Sequence, residues 1–436
     1  MPWSIIITRS CYSHFKLDSR NKDWRKKIEE MGNQPPKEKN PSGTVRGLED
    51  LLKDAMRLAH VAVSDLYSYR EGIKPAIDQI TGNTEKVVQM EVDKKKIYEH
   101  AMARYIGKIR TMRTGMKPTH ECPVITFIGE DANKFDVDGS GFRRQYYSMF
   151  FQECLKRLFE GSGRNQLPKH DITKKDEFTA LGIAIVEAIL NGDCGFPYLN
   201  KAVFMLILEK SDDEIEQSLN ISDIPLGDVW NTVKKIQDAE KECDMTDAVS
   251  EDSANFLNFI GWPGGQAMTL KNKHSLLHYI TKWFVIDQRL SEVEQLKKGL
   301  NYMGFLDTIR TNTWFEPLFV YSEQYSITAN YVKQKLEPLL DKLPTKTDIQ
   351  RKAQKQAKVC IGALDETQAR LLFAFITGLY DPPIIEETFC VEYNMNPDMC
   401  YPTSYTCLNK LFLPLGNKDI DKFKESFWAA LYDVQR

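Results

Sequence analysis

Apolar residues recur at helical spacing along most of this chain, and short extended runs interrupt them. Leu48, Leu51, Leu52, Ala55, Met56, Ala59, Ala62, Val63 and Leu66 share one face and predict a helix. Such a face is more often packed on its own neighbour than offered to a partner. After Pro75 and Gly82 a second helical pattern runs from Val87 to Ile109 through Ile97, Ala101 and Tyr105. Phe178 to Leu190 is a strongly apolar helix in which Gly182 and Ala188 permit close packing, and Asn191-Gly192 ends it. Phe196 to Leu208 is a further apolar element. Leu219, Ile221, Val229, Trp230 and Ile236 are spaced for one or two helices within an acidic, polar region at 209–255. Ile349 to Leu364, Ala369 to Thr377 (stopped by Gly378) and Asp419 to Tyr432 are amphipathic helices. Val124 to Ile128, Phe389 to Val391 and Leu411 to Leu413 read as β-branched or aromatic strands. Leu336 to Lys346 places Pro338 and Pro344 among charges and reads as a hinge.

Composition narrows the class. The first 45 residues or so become charged and proline-rich, with too little apolar surface to offset ordering entropy, and predict a flexible arm. The whole chain, 436 residues with 42% apolar and 27% charged side chains, suffices for two or three domains with cores. A net charge of -3 gives no reason to expect nucleic acid or an anionic membrane as partner. No apolar run approaches the ~20 residues that span a bilayer. Nine cysteines without a framework of close pairs suit free thiols in a reducing compartment, cytoplasmic or nuclear.

The candidate chemistry concentrates in one turn. Pro402, Thr403, Ser404 and Thr406 disfavour a helix ahead of Cys407, and Leu411-Phe412-Leu413 follows as a short strand closed by Pro414. A thiol on such a loop can be a nucleophile, although half-buried cysteines that only pack are more common. Other motifs fail on inspection. The loop Glu130 to Gly141 has Asp136, Asp138 and Gly139, but the first and twelfth places of a calcium loop hold Lys134 and Gln145. His274 and His278 lie four apart with no third ligand close by, so they read as surface or packing residues. Glu187, alone on an apolar helix, reads as a satisfied structural acid. The glycines of 261–265 lack the Lys-Ser/Thr of a phosphate loop, and no Cys-x-x-Cys occurs.

The thiol turn resembles the active-site loop of HECT-type ubiquitin ligases. Pro402, Ser404, Thr406, Cys407, Asn409, Leu411, Leu413 and Pro414 stand in matching places, while Tyr405 replaces the usual histidine. Further blocks follow the family's order. They are Phe127-x-Gly129-Glu130 with Asp138 to Tyr147 (Ser140 and Gln145 departing), the helix of Phe178, Gly182 and Ala188, and Leu371-Leu372 to Thr377-Gly378.

The resemblance implies an α+β fold: a bilobal HECT domain with a mainly helical N-lobe and a smaller α/β C-lobe, preceded by a helical N-terminal extension. It places the extension at 1–90, the N-lobe at 91–340 and the C-lobe at 341–436. A sublobe at about 209–268 would receive the ubiquitin-conjugating enzyme on aromatic anchors among Phe256, Phe259 and Trp262. Cys407 would carry ubiquitin as a thioester and pass it to a substrate lysine, with Tyr405, Thr406 and Asn409 supporting the loop. The partners implied are ubiquitin, a conjugating enzyme and a protein substrate; neither metal nor cofactor is called for. A tyrosine at 405 cannot act as a base near neutral pH, and no histidine follows His278. The family's phenylalanine four places from the end is here Asp433. These departures keep a catalytically weakened HECT scaffold, acting as a binding module, as the rival reading; a Cys-His protease would need a histidine brought close by folding.

Overall fold

The helix from Glu177 to Leu190 is the axis on which the larger part of the molecule is built. Every side chain from Ala180 to Leu190 in it is buried, a pattern that only an element enclosed on all sides tolerates. In the computed structural model, the residues described are 38–39, 45–46, 73–82, 86–129, 140–171, 173, 176–225, 227–248, 256–263, 268–322, 327–381 and 388–433, the side chains of 38–39, 45–46, 140, 228, 407 and 433 excepted. The chain divides into two compact units, Met1–Tyr69 and Arg70–Arg436. In the first, Glu38–Lys39 pairs antiparallel with Val45–Arg46. The helix expected over Leu48 to Leu66 lies outside the described residues, as does the loop at 130–139.

The second unit has a helical stretch at 73–81, then strand β1 (Lys86–Val92), helix α1 (Ile97–Arg113) and strand β2 (Glu121–Phe127). This corrects the helical reading of Val87 to Ile109. Val88, Met90 and Val92 point inward with period two, and β1 pairs in parallel with β2, Lys86 opposite Glu121. The partner strand is too remote in sequence for a local periodicity to reveal it. There follow α2 (Ser140–Leu158), the hairpin β3 (Phe159–Ser162) with β4 (Asn165–Pro168), and the axial helix α3 (Glu177–Leu190). After α3 come α4 (Lys201–Ile207), α5 (Asp212–Ser218), α6 (Asp228–Asp238), α7 (Glu242–Ala248), α8 (Lys273–Val285), α9 (Leu290–Leu300) and α10 (Phe305–Thr311).

Small residues let α9 approach α3 closely. A Cβ at Gly299 would lie 2.2 Å from the Thr179 carbonyl oxygen, and one at Gly182 would lie 2.7 Å from that of Leu296. A separate apolar cluster joins Ile224, Val233 and Ile236 to Leu257 and Trp262, and takes in Leu276, Leu277 and Ile280 of α8. The packed sublobe core therefore reaches past 268 into α8.

The last part holds α11 (Ala329–Lys342), α12 (Asp348–Gly362), α13 (Glu366–Thr377), β5 (Cys390–Tyr393), β6 (Thr403–Tyr405), β7 (Lys410–Leu413) and α14 (Ile420–Asp433). The sheet order is β5-β7-β6, with β7 parallel to β5 and antiparallel to β6. Leu411 and Leu413 of β7 and Phe423, Phe427 and Leu431 of α14 are fully buried, and both elements pack against α12 and α13. Half of the expected hinge is helical. Leu336 and Leu340 are buried on α11, which accommodates Pro338, so burial outweighs the hydrogen bond that the proline cannot donate. The non-helical link is residues 343–347, where the Gln354 amide caps the Leu340 carbonyl at 2.6 Å. With its mostly helical body and small sheets, the molecule is α+β.

Candidate active site

Strand β6 ends at Tyr405, and the chain then makes a single 3-10 turn, Thr406–Leu408, that carries Cys407. Asn409 stops the turn in the left-handed region (φ 46°), a conformation that asparagine tolerates better than most residues. The Asn409 N–H closes the turn on the Thr406 carbonyl at 3.3 Å, and the Asn409 carbonyl accepts the Cys390 N–H at 3.1 Å. Asn409 is buried, yet its Oδ1 has no hydrogen-bond partner among the described residues. Its contacts with the turn and with Cys390 are made by its backbone.

Two further bonds hold the strand and turn from other elements. The Ser404 hydroxyl donates to the Phe375 carbonyl of α13 at 2.5 Å. The Arg144 guanidinium, reaching from α2 across 262 residues of sequence, donates to the Thr406 carbonyl at 2.6 Å. Arg144 stands in one of the recognised blocks, but no local pattern marks it as belonging to the thiol turn; only folding brings it there. Tyr405 packs edge-on against Phe412 of β7, with ring centroids 4.8 Å apart. No histidine follows His278, so nothing sequence-local replaces the one that Tyr405 displaces.

The remaining described cysteines sit in different settings. Cys122, Cys154, Cys194 and Cys360 are buried. Burial pushes the thiols of Cys154 and Cys194 well above the ordinary range, and that of Cys360 up to about 11. Cys390 is also raised, chiefly by burial. Cys243 is exposed and Cys400 half-buried; Cys11 lies outside the described residues.

The turn is seated on α2 by neighbouring contacts. Gly378, which ends α13 with φ +77°, lies against Gly141 and Gln145 of α2. Three residues on, buried Asp381 accepts from Arg164 of the β3–β4 turn and, at 2.6 Å, from the Tyr198 hydroxyl. Arg164 also donates to the Tyr380 carbonyl at 3.3 Å.

Elsewhere, Phe259 is 78% exposed beside Trp283, at 6.0 Å between ring centroids, and Phe256 abuts the same indole at 5.8 Å. Trp262, by contrast, is buried in the sublobe core. His278 faces Glu216 at 3.6 Å. Among the described residues no group of three His, Cys, Asp or Glu side chains could hold a metal ion. Among them, too, no helix is long and apolar enough to cross a membrane. Glu187 is a satisfied structural acid: Arg104 and Lys108 pair with it, and Tyr105 and Tyr147 donate to it at 3.0 and 2.9 Å.

The backbone of Cys407 thus lies on a strand-flanked turn of an α+β protein, clamped from a distant helix. The HECT-domain (ubiquitin-transferase) family model matches residues 140–430, two thirds of the chain and the whole of this site. The chain belongs to the HECT family. No curated protein matches the sequence.

Proposed function

We propose that this protein is a ubiquitin-protein ligase whose Cys407 accepts ubiquitin from a conjugating enzyme and passes it to a substrate lysine. The observation that carries the reading is the family match across the clamped Thr406–Asn409 turn. In the first step the Cys407 thiolate attacks the carbonyl carbon of the conjugating enzyme's thioester. The C–S bond to that enzyme breaks, and its thiolate departs with the electron pair. In the second, a lysine amine attacks the new thioester, the C–S bond to Cys407 breaks, and an isopeptide forms as the thiol is regenerated. Neither step calls for a nucleotide or metal, because the acyl group arrives already activated.

We divide the domain at the link 343–347, with an N-lobe ending in α11 and a C-lobe beginning at α12. The thiol must meet first an enzyme and then a lysine, and one fixed pose serves both poorly. The exposed edge of Phe259, with Phe256 and Trp283, suits the conjugating enzyme as an aromatic anchor. Free thiols fit a cytoplasmic or nuclear setting. Tyr405, held against Phe412, favours a slow second step, and a HECT scaffold that binds without discharging is its limiting case.

With activating enzyme, conjugating enzyme and ubiquitin, the protein should form an adduct that thiol reductant removes. Cys407→Ala should abolish it, whereas Cys243→Ala, Cys390→Ala and Cys400→Ala should keep it. An adduct that survives Cys407→Ala overturns the assignment. Loading without any discharge onto free lysine would select the scaffold.

A further inference from the structure

We propose that Arg144 is the positioning residue of the thiol turn, orienting the Cys407 amide N–H as an oxyanion donor only while the C-terminal elements are seated on α2. The proposal rests on the reading of Cys407 as the acyl carrier. The carbonyl that Arg144 grips and the Cys407 N–H belong to one peptide unit. A trans peptide is planar, with its C=O and N–H antiparallel, so fixing the oxygen fixes the direction of the N–H. A charged donor on the oxygen also polarises the unit and strengthens its N–H as a donor. The amide of a nucleophilic residue is well placed to receive the oxygen of a tetrahedral intermediate, which both transfer steps pass through.

Arg144 itself is only 7% exposed, so its grip is sheltered from competing water. The other restraints on the loop come from within its own segment. The Ser404 bond to Phe375 and the pairing of β7 with β5 and β6 persist wherever that segment goes. The Arg144 bond does not; it depends on the seating that Gly378 and the Asp381–Arg164–Tyr198 contacts secure. Leaving the seat would preserve the turn, in which the Asn409 N–H alone would hold the Thr406 carbonyl, but remove the charged donor that fixes and polarises this peptide unit most strongly.

The test is single-turnover loading of ubiquitin from a charged conjugating enzyme, read as the reductant-sensitive adduct over a range of enzyme concentration. Arg144→Ala should lower the limiting rate by about tenfold or more, with the half-saturating concentration within about twofold; loss of a direct oxyanion donor elsewhere costs ~10²–10³. Arg144→Lys, which keeps a charge without the planar fork, should recover part of the loss. Asp381→Asn, which loosens the seat from the other side, should also slow loading, and the double variant should be no slower than Arg144→Ala. A limiting rate within twofold of the parent for Arg144→Ala, an effect on half-saturation alone, or fully additive losses in the double variant would overturn the proposal. Amide exchange over 405–410 provides a readout that needs no ubiquitin. It should quicken in Arg144→Ala, and unchanged exchange counts against Arg144. If Cys407→Ala still loads, the acyl-carrier reading fails, and exchange alone then decides whether Arg144 holds the turn.

Discussion

Two arginines, Arg104 and Arg144, mark two ways in which this chain uses a sheltered cation. Arg104 of α1 is locked with Lys108 around the buried Glu187 carboxylate, and both also reach Glu121. Burial would raise the Glu187 carboxyl, yet the charges of Arg104 and Lys108 and their hydrogen bonds hold it below the ordinary 4.5. Arg144 donates to a neutral backbone carbonyl. The first arrangement satisfies opposite charges with one another at the centre of a core, and no partner can leave without stranding the rest. The second sets a cation against the carbonyl of a turn that lies far away in sequence. In the core the cations answer a buried carboxylate; at the turn a cation answers a backbone carbonyl.

That contrast can be broken most forcefully at Glu187. Glu187→Ala strands Arg104 and Lys108 with a buried deficit, and should destabilise the fold by about 3–5 kcal/mol. Urea denaturation measures it, and a loss below about 1 kcal/mol would contradict the network's structural role. The same residue sets a pH window. A carboxyl depressed in the fold contributes its stability above its unfolded value, and loses it as pH falls through the folded one. Denaturation midpoints should therefore drop below about pH 4.5, and less steeply in Glu187→Gln.

The next largest effect is steric. Gly299→Ala sets a methyl group 2.2 Å from the Thr179 carbonyl, so α3 and α9 must part, at a cost of about 1–3 kcal/mol. A thermal midpoint equal to the parent's would show that the two helices pack less rigidly than this contact implies. If the core and the thiol turn are independent, amide exchange over 405–410 should not change in this variant.

Smaller effects sharpen the functional side. Phe259→Ala should raise the concentration of conjugating enzyme needed for half-maximal loading by about tenfold, as loss of an aromatic anchor does, while the limiting rate stays. A lower limiting rate at unchanged half-saturation would place Phe259 outside the docking surface. Ser404→Ala removes one side-chain bond to Phe375, worth about 0.5–1.5 kcal/mol, and should lower stability by that much. Calorimetry checks it, and a larger loss would make Ser404 a main support of the loop.

The sequence by itself determined a good deal. Periodicity marked α3, α12, α13 and α14, the strand β2 and the apolar run of β7, because each is a local pattern with a local stop such as Gly378 or Asn191-Gly192. The residues around Cys407 carried the family resemblance that the match to 140–430 establishes. Tertiary structure decided the rest. Val87 to Val92 is a strand because β2 offers edge hydrogen bonds that a helical window cannot see. The first half of the hinge is helix because Leu336 and Leu340 find a core. Asn409 closes the turn through its backbone, and Arg144 meets Thr406, 262 positions further along the chain, only once the elements between them have folded. Helical and strand patterns report which side of an element is apolar. They hold no record of which distant donor will meet which carbonyl, because that distance is set by the packing of the elements between them.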